Sequence, residues 1–203
     1  MLKNTIKFFV VPAIALVLTA KAYNFMDSFF DKNFKSDKVD NKGVALIGGA
    51  FNLTNQDGKE IKDTDFRGKF MLVYFGFTSC PDVCPTDLAR MTQVMEGLGT
   101  SAEGIQPIFI TVDPERDNVE KMKEYVKSFY PKLQALTGDK QQISKVAGEY
   151  RVFYQKAGEK DAENYGMEHS SYMYLMDKEG KYITHFGSDQ NVEIVTAAIK
   201  KYL

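Results

Sequence analysis

The sequence lacks the excess of basic residues with which proteins hold a phosphate backbone: its 203 residues include 26 lysines and arginines and 27 aspartates and glutamates. This balance argues against nucleic acid as a partner. Internal repeats and long stretches of biased composition are also absent, and 44% of the residues are hydrophobic. We therefore predict one globular domain with a single sizeable core.

Acidic residues are absent before Asp27, and this region contains lysines followed by an apolar run from Phe8 to Leu18. The pattern predicts that residues 1–22 are a signal sequence or a membrane anchor. The run is shorter than the about 20 residues of a spanning helix, and Ala20-Lys21-Ala22 has the form of a cleavage site, which favours a cleaved signal. Flanking lysines that reach the two interfaces of a thinned bilayer would instead permit an anchor.

Residues 23–42 are rich in Asp, Asn and Lys, which is typical of a tether, and we place the domain at residues 43–203. The predicted elements, in chain order, are a hairpin turning at 55–58, a buried strand at 70–77, a helix from Pro85 to Gly97, a buried strand at 105–112, a helix capped at Asp117, a helix from 138 to 150, a strand at 152–155, a hairpin of 172–176 and 182–186, and a helix at 191–202. Strands that alternate with helices and end in an antiparallel hairpin indicate an α/β fold with a mixed sheet. This order fits a thioredoxin-like sandwich with an added N-terminal β-hairpin, in which function gathers at the carboxyl ends of the strands.

Cysteine and histidine are scarce, with two of each in the chain. In an exported protein, a lone pair of cysteines forms a disulfide, a redox pair or a metal site. Cys80 and Cys84 stand between a predicted strand and the helix that follows it. Their thiols therefore face the positive end of the helix dipole, and we expect their thiolates to be stabilised there.

Three residues separate the two cysteines, whereas a thioredoxin-type redox motif has two. The longer loop is long enough for both sulfurs to bind the same partner, such as one metal ion. Two thiolates and an imidazole suit Cu(I), whereas structural zinc usually takes a fourth protein ligand, which we do not find in the sequence. The spacing therefore favours copper over zinc.

His169 and His185 are the two candidates for the imidazole ligand. His185 lies in an alternating strand pattern, Tyr182 to Phe186, where a satisfied or solvent-facing side chain is the better interpretation. His169 follows a polar, glycine-containing loop and shortly precedes the apolar strand from Tyr172, so it belongs at a strand end. Position alone does not identify it as a ligand.

The segment from Tyr74 to Pro85, YFGFTSCPDVCP, resembles the Sco/SenC family of copper chaperones almost residue for residue. Thr111 to Asp117 is similar to the strand-end signature of that family. Glu168-His169-Ser170 resembles its histidine segment, in which an aspartate commonly precedes the histidine. The resemblance extends from Gly48 to Leu203 and thus covers the whole predicted domain.

This resemblance implies a thioredoxin-like fold that binds one copper ion per chain through Cys80, Cys84 and His169. It also implies a partner, subunit II of cytochrome c oxidase, whose binuclear copper site such chaperones help to assemble. The expected location is the periplasmic face of a bacterial inner membrane or the intermembrane-space side of the mitochondrial inner membrane. The sequence does not indicate the copper donor.

Two mechanisms stay open: direct transfer of Cu(I) by ligand exchange, and reduction of the target's disulfide by Cys80 and Cys84 so that another carrier can metallate it. Ser171 aligns approximately with the cis-proline of thioredoxin-like reductases, which favours direct transfer and a protein that is not an enzyme. Two further classes of protein fit the cysteine pair: a thiol peroxidase or general oxidoreductase, which would not need His169, and a structural domain closed by one small disulfide loop.

Three further features have structural interpretations. We expect Met167 to fill a gap in the packing and Asp82 to form a turn. The charged group at residues 113–117 fits a broken strand end and a helix cap better than a docking surface.

Overall fold

The computed structural model of the chain describes residues 46–158 and 165–203. The predicted signal or anchor, the tether and the predicted start of the domain at Gly43 lie outside the described residues. In the two described ranges, no helix combines the length and the apolar content that crossing a bilayer requires.

The described residues form nine strands and four α-helices. The strands are β1 (Asn52–Asn55), β2 (Glu60–Lys62), β3 (Phe70–Gly76), β4 (Ile105–Thr111), β5 (Gln134–Thr137), β6 (Tyr154–Ala157), β7 (Gly166–His169), β8 (Tyr172–Met176) and β9 (Tyr182–Gly187). The helices are α1 (Val83–Leu98), α2 (Val119–Val126), α3 (Lys140–Glu149) and α4 (Val192–Lys200). Short 3-10 helices cover Asp63–Phe66 and Gly99–Gly104.

Seven of these strands form one mixed sheet in the order β2-β1-β5-β4-β3-β8-β9. β3 pairs in parallel with β4, and β4 in parallel with β5, whereas the other neighbours are antiparallel. β6 and β7 form a separate antiparallel hairpin. Every residue of β3 is buried, as expected for an interior strand with helices on both of its faces.

The two faces of the sheet pack against different helices. Tyr74 and Phe75 point to opposite faces because successive side chains alternate along a strand. On the Tyr74 face, Phe109 of β4 contacts Tyr125 of α2. On the other face, Phe75 contacts Tyr150, which directly follows α3. The parallel strands β3 and β4 therefore end between two helical layers, where the cysteine loop begins.

Most of the predicted elements are confirmed, including the opening hairpin, the two central strands, and the final hairpin and helix. Two helix starts need correction. α1 begins at Val83 rather than Pro85, so Cys84 lies within its first turn; Pro85 fits there because first-turn N–H groups have no intrahelical acceptor. The cap of α2 is Asn118, whose side chain accepts the N–H of Lys121, and not Asp117.

Two strands were missing from the prediction, β5 and β7. Both have four residues, which is too few for a periodic pattern to stand out. The strand predicted at 152–155 lies at Tyr154–Ala157 and pairs with β7 rather than joining the main sheet. His169 is thus the last residue of a strand, as well as the start of the link to β8.

Asp117 is fully buried and joins three strand ends. Its carboxylate accepts hydrogen bonds from the N–H and hydroxyl of Thr78, at 3.0 and 2.5 Å, and from the hydroxyl of Thr111 at 2.6 Å. Its backbone carbonyl accepts the hydroxyl of Thr137 at 2.7 Å. Because these threonines follow or end β3, β4 and β5, this one residue holds the start of the cysteine loop on the edge of the sheet.

Replacing Asp117 with Ala should destabilise the domain by about 3 kcal/mol, because the N–H and hydroxyl of Thr78 and the buried hydroxyl of Thr111 would lose their acceptor. Denaturant titration of the reduced, metal-free protein measures the loss. Asn118→Ala is the matched control, since it removes only the cap of α2 and should cost about 1 kcal/mol. Equal losses in the two variants would contradict this role of Asp117.

Candidate metal centre

Cys80 and Cys84 lie where β3 passes into α1, and both are free thiols. Cys84 is fully buried and Cys80 is half-buried. The backbone N–H of Cys84 donates to the Sγ of Cys80 at 3.4 Å, and the N–H of Cys80 donates to the carbonyl of Phe77 at 3.3 Å. The loop thus turns back so that the Cys80 sulfur rests against the first turn of α1.

Burial raises the pKa of the Cys84 thiol to about 12. The prediction that the helix end stabilises its thiolate is therefore wrong for Cys84. A backbone hydrogen bond from Phe77 lowers the pKa, but the loss of solvation of the charged form outweighs this bond. Cys84 is consequently a neutral thiol at neutral pH, and a metal ion must displace its proton in order to bind.

His169 meets Cys84 at the end of β7. Its Nε2 lies 3.2 Å from the Sγ of Cys84, and its Nδ1 lies 3.0 Å from the carbonyl oxygen of Ser170. A carbonyl only accepts hydrogen bonds, so the ring proton belongs on Nδ1 and the lone pair on Nε2. In the metal-free protein Nε2 accepts from the Cys84 thiol. The same tautomer is the one that an Nε2 metal ligand requires.

The surroundings of His169 keep its ring neutral and oriented. Burial lowers its pKa, opposed in part by the hydrogen bond with Ser170 and by the charge of Asp87. The rings of Tyr74 and Phe77 meet the imidazole edge-on, at centroid distances of 6.3 and 5.9 Å. The imidazole is thus unprotonated at pH 7, as metal binding requires.

The fold brings two of the three predicted ligands into direct contact. Across residues 46–158 and 165–203, no three His, Cys, Asp or Glu side chains form a ready-made metal cluster. The sulfur of Cys80 faces the backbone N–H of Cys84. With the Cys84 sulfur and the imidazole, this sulfur would make a set of two soft sulfurs and one nitrogen, which suits Cu(I).

The remaining candidates lie outside this contact. His185 is exposed and its Nδ1 lies 2.6 Å from the hydroxyl of Tyr182, which confirms the solvent-facing interpretation. Met167 is partly buried and packs against the core, as expected for a gap-filling side chain. Glu168 is exposed on the other face of β7, where Gln155 donates to it at 2.7 Å.

Gly76 contributes to the centre in a way that we did not predict. A Cβ at this position would lie 3.0 Å from the Sγ of Cys84 and 3.0 Å from a ring carbon of Tyr74. The missing side chain therefore leaves the space in which the sulfur sits. The sequence did contain a signal, since a glycine inside an aromatic and branched strand marks a close approach of other atoms.

The hydroxyl of Tyr74 is buried beside the same sulfur. It has no hydrogen-bond partner among the described residues, and its pKa is raised by burial and then by the nearby Cys84 and Asp87. The sequence indicated Tyr74 only as core packing. Its ring also meets the imidazole of His169 edge-on, so Tyr74 packs against both Cys84 and His169.

A mixed sheet with helices on both faces and two thiols where a central strand ends defines a thioredoxin-like domain. In this domain a neutral imidazole faces one of the thiols. The sequence model of the SCO1/SenC family matches residues 39–203. The chain belongs to this family.

Individual relatives agree with this assignment. SCO2-like protein RP587 of Rickettsia prowazekii is 44% identical over 169 residues, which cover 83% of this chain and 80% of that protein. The structure of ScoI from Bradyrhizobium japonicum with copper bound is 44% identical, with a TM-score of 0.71, and covers 77% of this chain and 99% of that one. The crystal structure of Arabidopsis thaliana ScoI with copper bound is 41% identical, with a TM-score of 0.72 and coverages of 76% and 96%. The predicted fold and family are thereby confirmed.

Replacing Gly76 with Ala should displace the sulfur of Cys84, weakening Cu(I) binding about tenfold and destabilising the domain by about 1–3 kcal/mol. Competition titration and thermal unfolding measure the two effects. The control is Gly148→Ala, where an added Cβ meets nothing within 4 Å and a helix interior gains about 0.5–1 kcal/mol. A Gly76→Ala protein with unchanged copper affinity would contradict the proposed close approach.

The affinity for Cu(I) should increase with pH, because Cys84 keeps its proton up to about pH 12 and releases it on binding. This proton alone gives a rise of about tenfold per pH unit in the apparent association constant between pH 6.5 and 9. His169→Ala should keep this slope, since burial lowers the pKa of His169 and the ring is already neutral there. Competition against a chelator of known protonation checks it; a pH-independent affinity would refute the neutral thiol.

Proposed function

We propose that this protein binds one copper ion through Cys80, Cys84 and His169 and passes it to a respiratory oxidase. The observation that carries the proposal is the 3.2 Å contact between the Nε2 of His169 and the Sγ of Cys84. It joins a thiol and a proton-free imidazole nitrogen that are 85 residues apart along the chain. Cys80, in the same loop, supplies the second soft sulfur.

The nature of the donors supports copper as the ion. Two sulfurs and an imidazole match the softness of Cu(I), and the Bradyrhizobium and plant relatives compared above were solved with copper bound. The positive charge of the ion compensates the thiolate that burial otherwise disfavours at Cys84. The charges of the ion and of the thiolate partly cancel, so a site that holds copper can remain buried below the protein surface.

The unequal exposure of the two cysteines supports transfer by ligand exchange. Cys80 is half-buried, whereas Cys84 lies in the core against Gly76 and Tyr74. An incoming thiolate from a partner can reach the metal from the Cys80 side, replace that ligand first, and take the ion stepwise from Cys84 and His169. Each step exchanges one copper–ligand bond for another, with no change in the oxidation state of Cu(I).

The family is known for copper binding and for assembly of cytochrome c oxidase. We propose subunit II of that oxidase as the recipient. Its binuclear copper site is the target that the resemblance implies. We also propose that residues 1–22 direct or attach the domain to the membrane, with residues 43–203 outside the cytoplasm and residues 23–42 as a tether.

A thiol–disulfide oxidoreductase is the second candidate, because both cysteines are free. In that reaction the thiolate of Cys80 would attack the target's disulfide, and Cys84 would resolve the mixed disulfide, so that two electrons pass to the target and a Cys80–Cys84 disulfide forms. The raised pKa of Cys84 makes its thiolate scarce at neutral pH and argues against rapid resolution. Ligand exchange is therefore the better supported mechanism.

His169→Ala tests the proposal, with His185→Ala as the matched control. In the reduced full-length protein, loss of His169 should weaken Cu(I) binding but not abolish it, because two thiolates hold Cu(I) in two-coordinate form. Cu(II) depends on the imidazole, so its thiolate charge-transfer bands should disappear. His185→Ala should retain both, since His185 is exposed and bonded to Tyr182.

The same variants separate delivery from reduction in cells. Failed oxidase assembly with His169→Ala, while the thiols stay redox-active, would support copper delivery. Normal oxidase activity with His169→Ala, despite its impaired copper binding, would overturn delivery in favour of the oxidoreductase. Cys80→Ala or Cys84→Ala should abolish stoichiometric copper binding, and binding retained by either would refute the ligand assignment.

A further inference from the structure

The hairpin that carries His169 is separate from the main sheet. β6 and β7 pair only with each other, and His169 is the last residue of β7. The hairpin closes with two further hydrogen bonds, between Phe153 and Ser170. No ladder of backbone hydrogen bonds to β3 or β8 therefore sets the distance between His169 and Cys84. Two residues link His169 to the start of β8, and side-chain contacts hold the rest of the hairpin in place.

Arg116 makes two of these contacts. Its Nη1 donates to the backbone carbonyl of Tyr165 at 2.8 Å, and its guanidinium carbon lies 3.7 Å from the centre of the Tyr165 ring. Its Nε donates to the carboxylate of Asp113 at 2.5 Å. The side chain of Arg116 is 19% exposed and that of Asp113 is 2% exposed, so water competes little for these bonds.

Asp113 contacts both Tyr165 and the end of β4. Its second oxygen accepts the hydroxyl of Tyr165 at 2.6 Å, while its N–H donates to the hydroxyl of Thr111 at 2.9 Å. Arg116 and Tyr165 thus share one buried carboxylate that is tied to the end of β4. We call Arg116, Asp113 and Tyr165 the hairpin clamp.

Two neighbouring contacts extend the clamp. Lys156 of β6 lies 4.1 Å above the ring of Tyr165 and forms an ion pair with Glu115. Arg116 lies 5.9 Å from the ring centre of Phe77, and that ring meets the imidazole of His169 edge-on at 5.9 Å. Arg116 therefore contacts the residue that directly precedes β7, and it lies near the ring that meets His169 edge-on.

We propose that the hairpin clamp positions His169, holding its Nε2 within reach of the Sγ of Cys84 and thereby setting the affinity of the site for Cu(II) more than for Cu(I). Cu(II) requires the imidazole in a defined geometry, whereas two thiolates suffice to hold Cu(I). Arg116 is a positioning residue, since it touches no metal ligand atom. The inference rests on the proposed function, in which His169 is a ligand.

Arg116→Lys is the decisive variant. Lysine keeps the charge beside Asp113, but a single ammonium cannot also donate to the Tyr165 carbonyl and stack on its ring. The dissociation constant for Cu(II) should rise about tenfold or more, as for other outer supports of a metal ligand, while that for Cu(I) changes by less than about threefold. The Cu(II)–thiolate absorption and the nitrogen hyperfine coupling in electron paramagnetic resonance should weaken in parallel.

Tyr165→Phe refines the test, because it retains the ring and the carbonyl and loses only the bond to Asp113. It should therefore give a smaller change in the same spectra. Arg67→Ala is the matched control: Arg67 pairs with Asp63 at 2.5 Å in another part of the fold. It should lower thermal stability without altering either copper spectrum.

The outcomes distinguish the inference from the proposed function. Unchanged Cu(II) spectra and affinity in Arg116→Lys, with His169→Ala still losing the thiolate bands, would overturn the clamp and leave the ligand assignment intact. If His169→Ala also kept the bands, the proposed function itself would fail. A drop in melting temperature for Arg116→Lys with wild-type spectra would mean that the clamp acts on stability alone.

Discussion

The contact between a buried thiol and a proton-free imidazole nitrogen is the interaction on which the centre depends. Cys84 is buried because Gly76 leaves room for its sulfur between the ring of Tyr74 and the first turn of α1. Burial keeps the thiol neutral, which lets it rest against the Nε2 of His169 without a charge in the core. A bound cation would stabilise the thiolate form of Cys84. The same buried position is therefore compatible with a neutral thiol in the metal-free protein and with a thiolate in the metal-bound protein.

Two consecutive residues hold the two halves of the centre. Asp117 accepts hydrogen bonds from Thr78 and so fixes the start of the cysteine loop. Arg116 stacks on Tyr165 and bonds its carbonyl, and so holds the hairpin that ends in His169. Both lie in the turn between β4 and α2. In the charged segment interpreted as a strand end and helix cap, Asp113 and Asp117 are buried, and the cap is supplied by Asn118.

The two cysteines differ enough to have different roles. Cys80 is accessible and rests on a backbone N–H, whereas Cys84 is enclosed and touches the imidazole. This asymmetry suits stepwise ligand exchange, in which the accessible ligand leaves first. In an oxidoreductase the enclosed cysteine would have to act as the resolving thiolate, which burial makes scarce.

The sequence by itself determined the fold class and the cysteine loop at a strand end, and its long family motif predicted His169 as the histidine ligand. These depend on local signals: an uninterrupted apolar strand, the spacing of two cysteines and a helix that begins beside them. Only the tertiary structure decided that Cys84 stays protonated, because desolvation depends on atoms such as Tyr74 that surround it in three dimensions. The same is true of β7, which is too short to show a period, and of the clamp at Arg116. A contact made 49 residues away along the chain leaves no trace in local sequence.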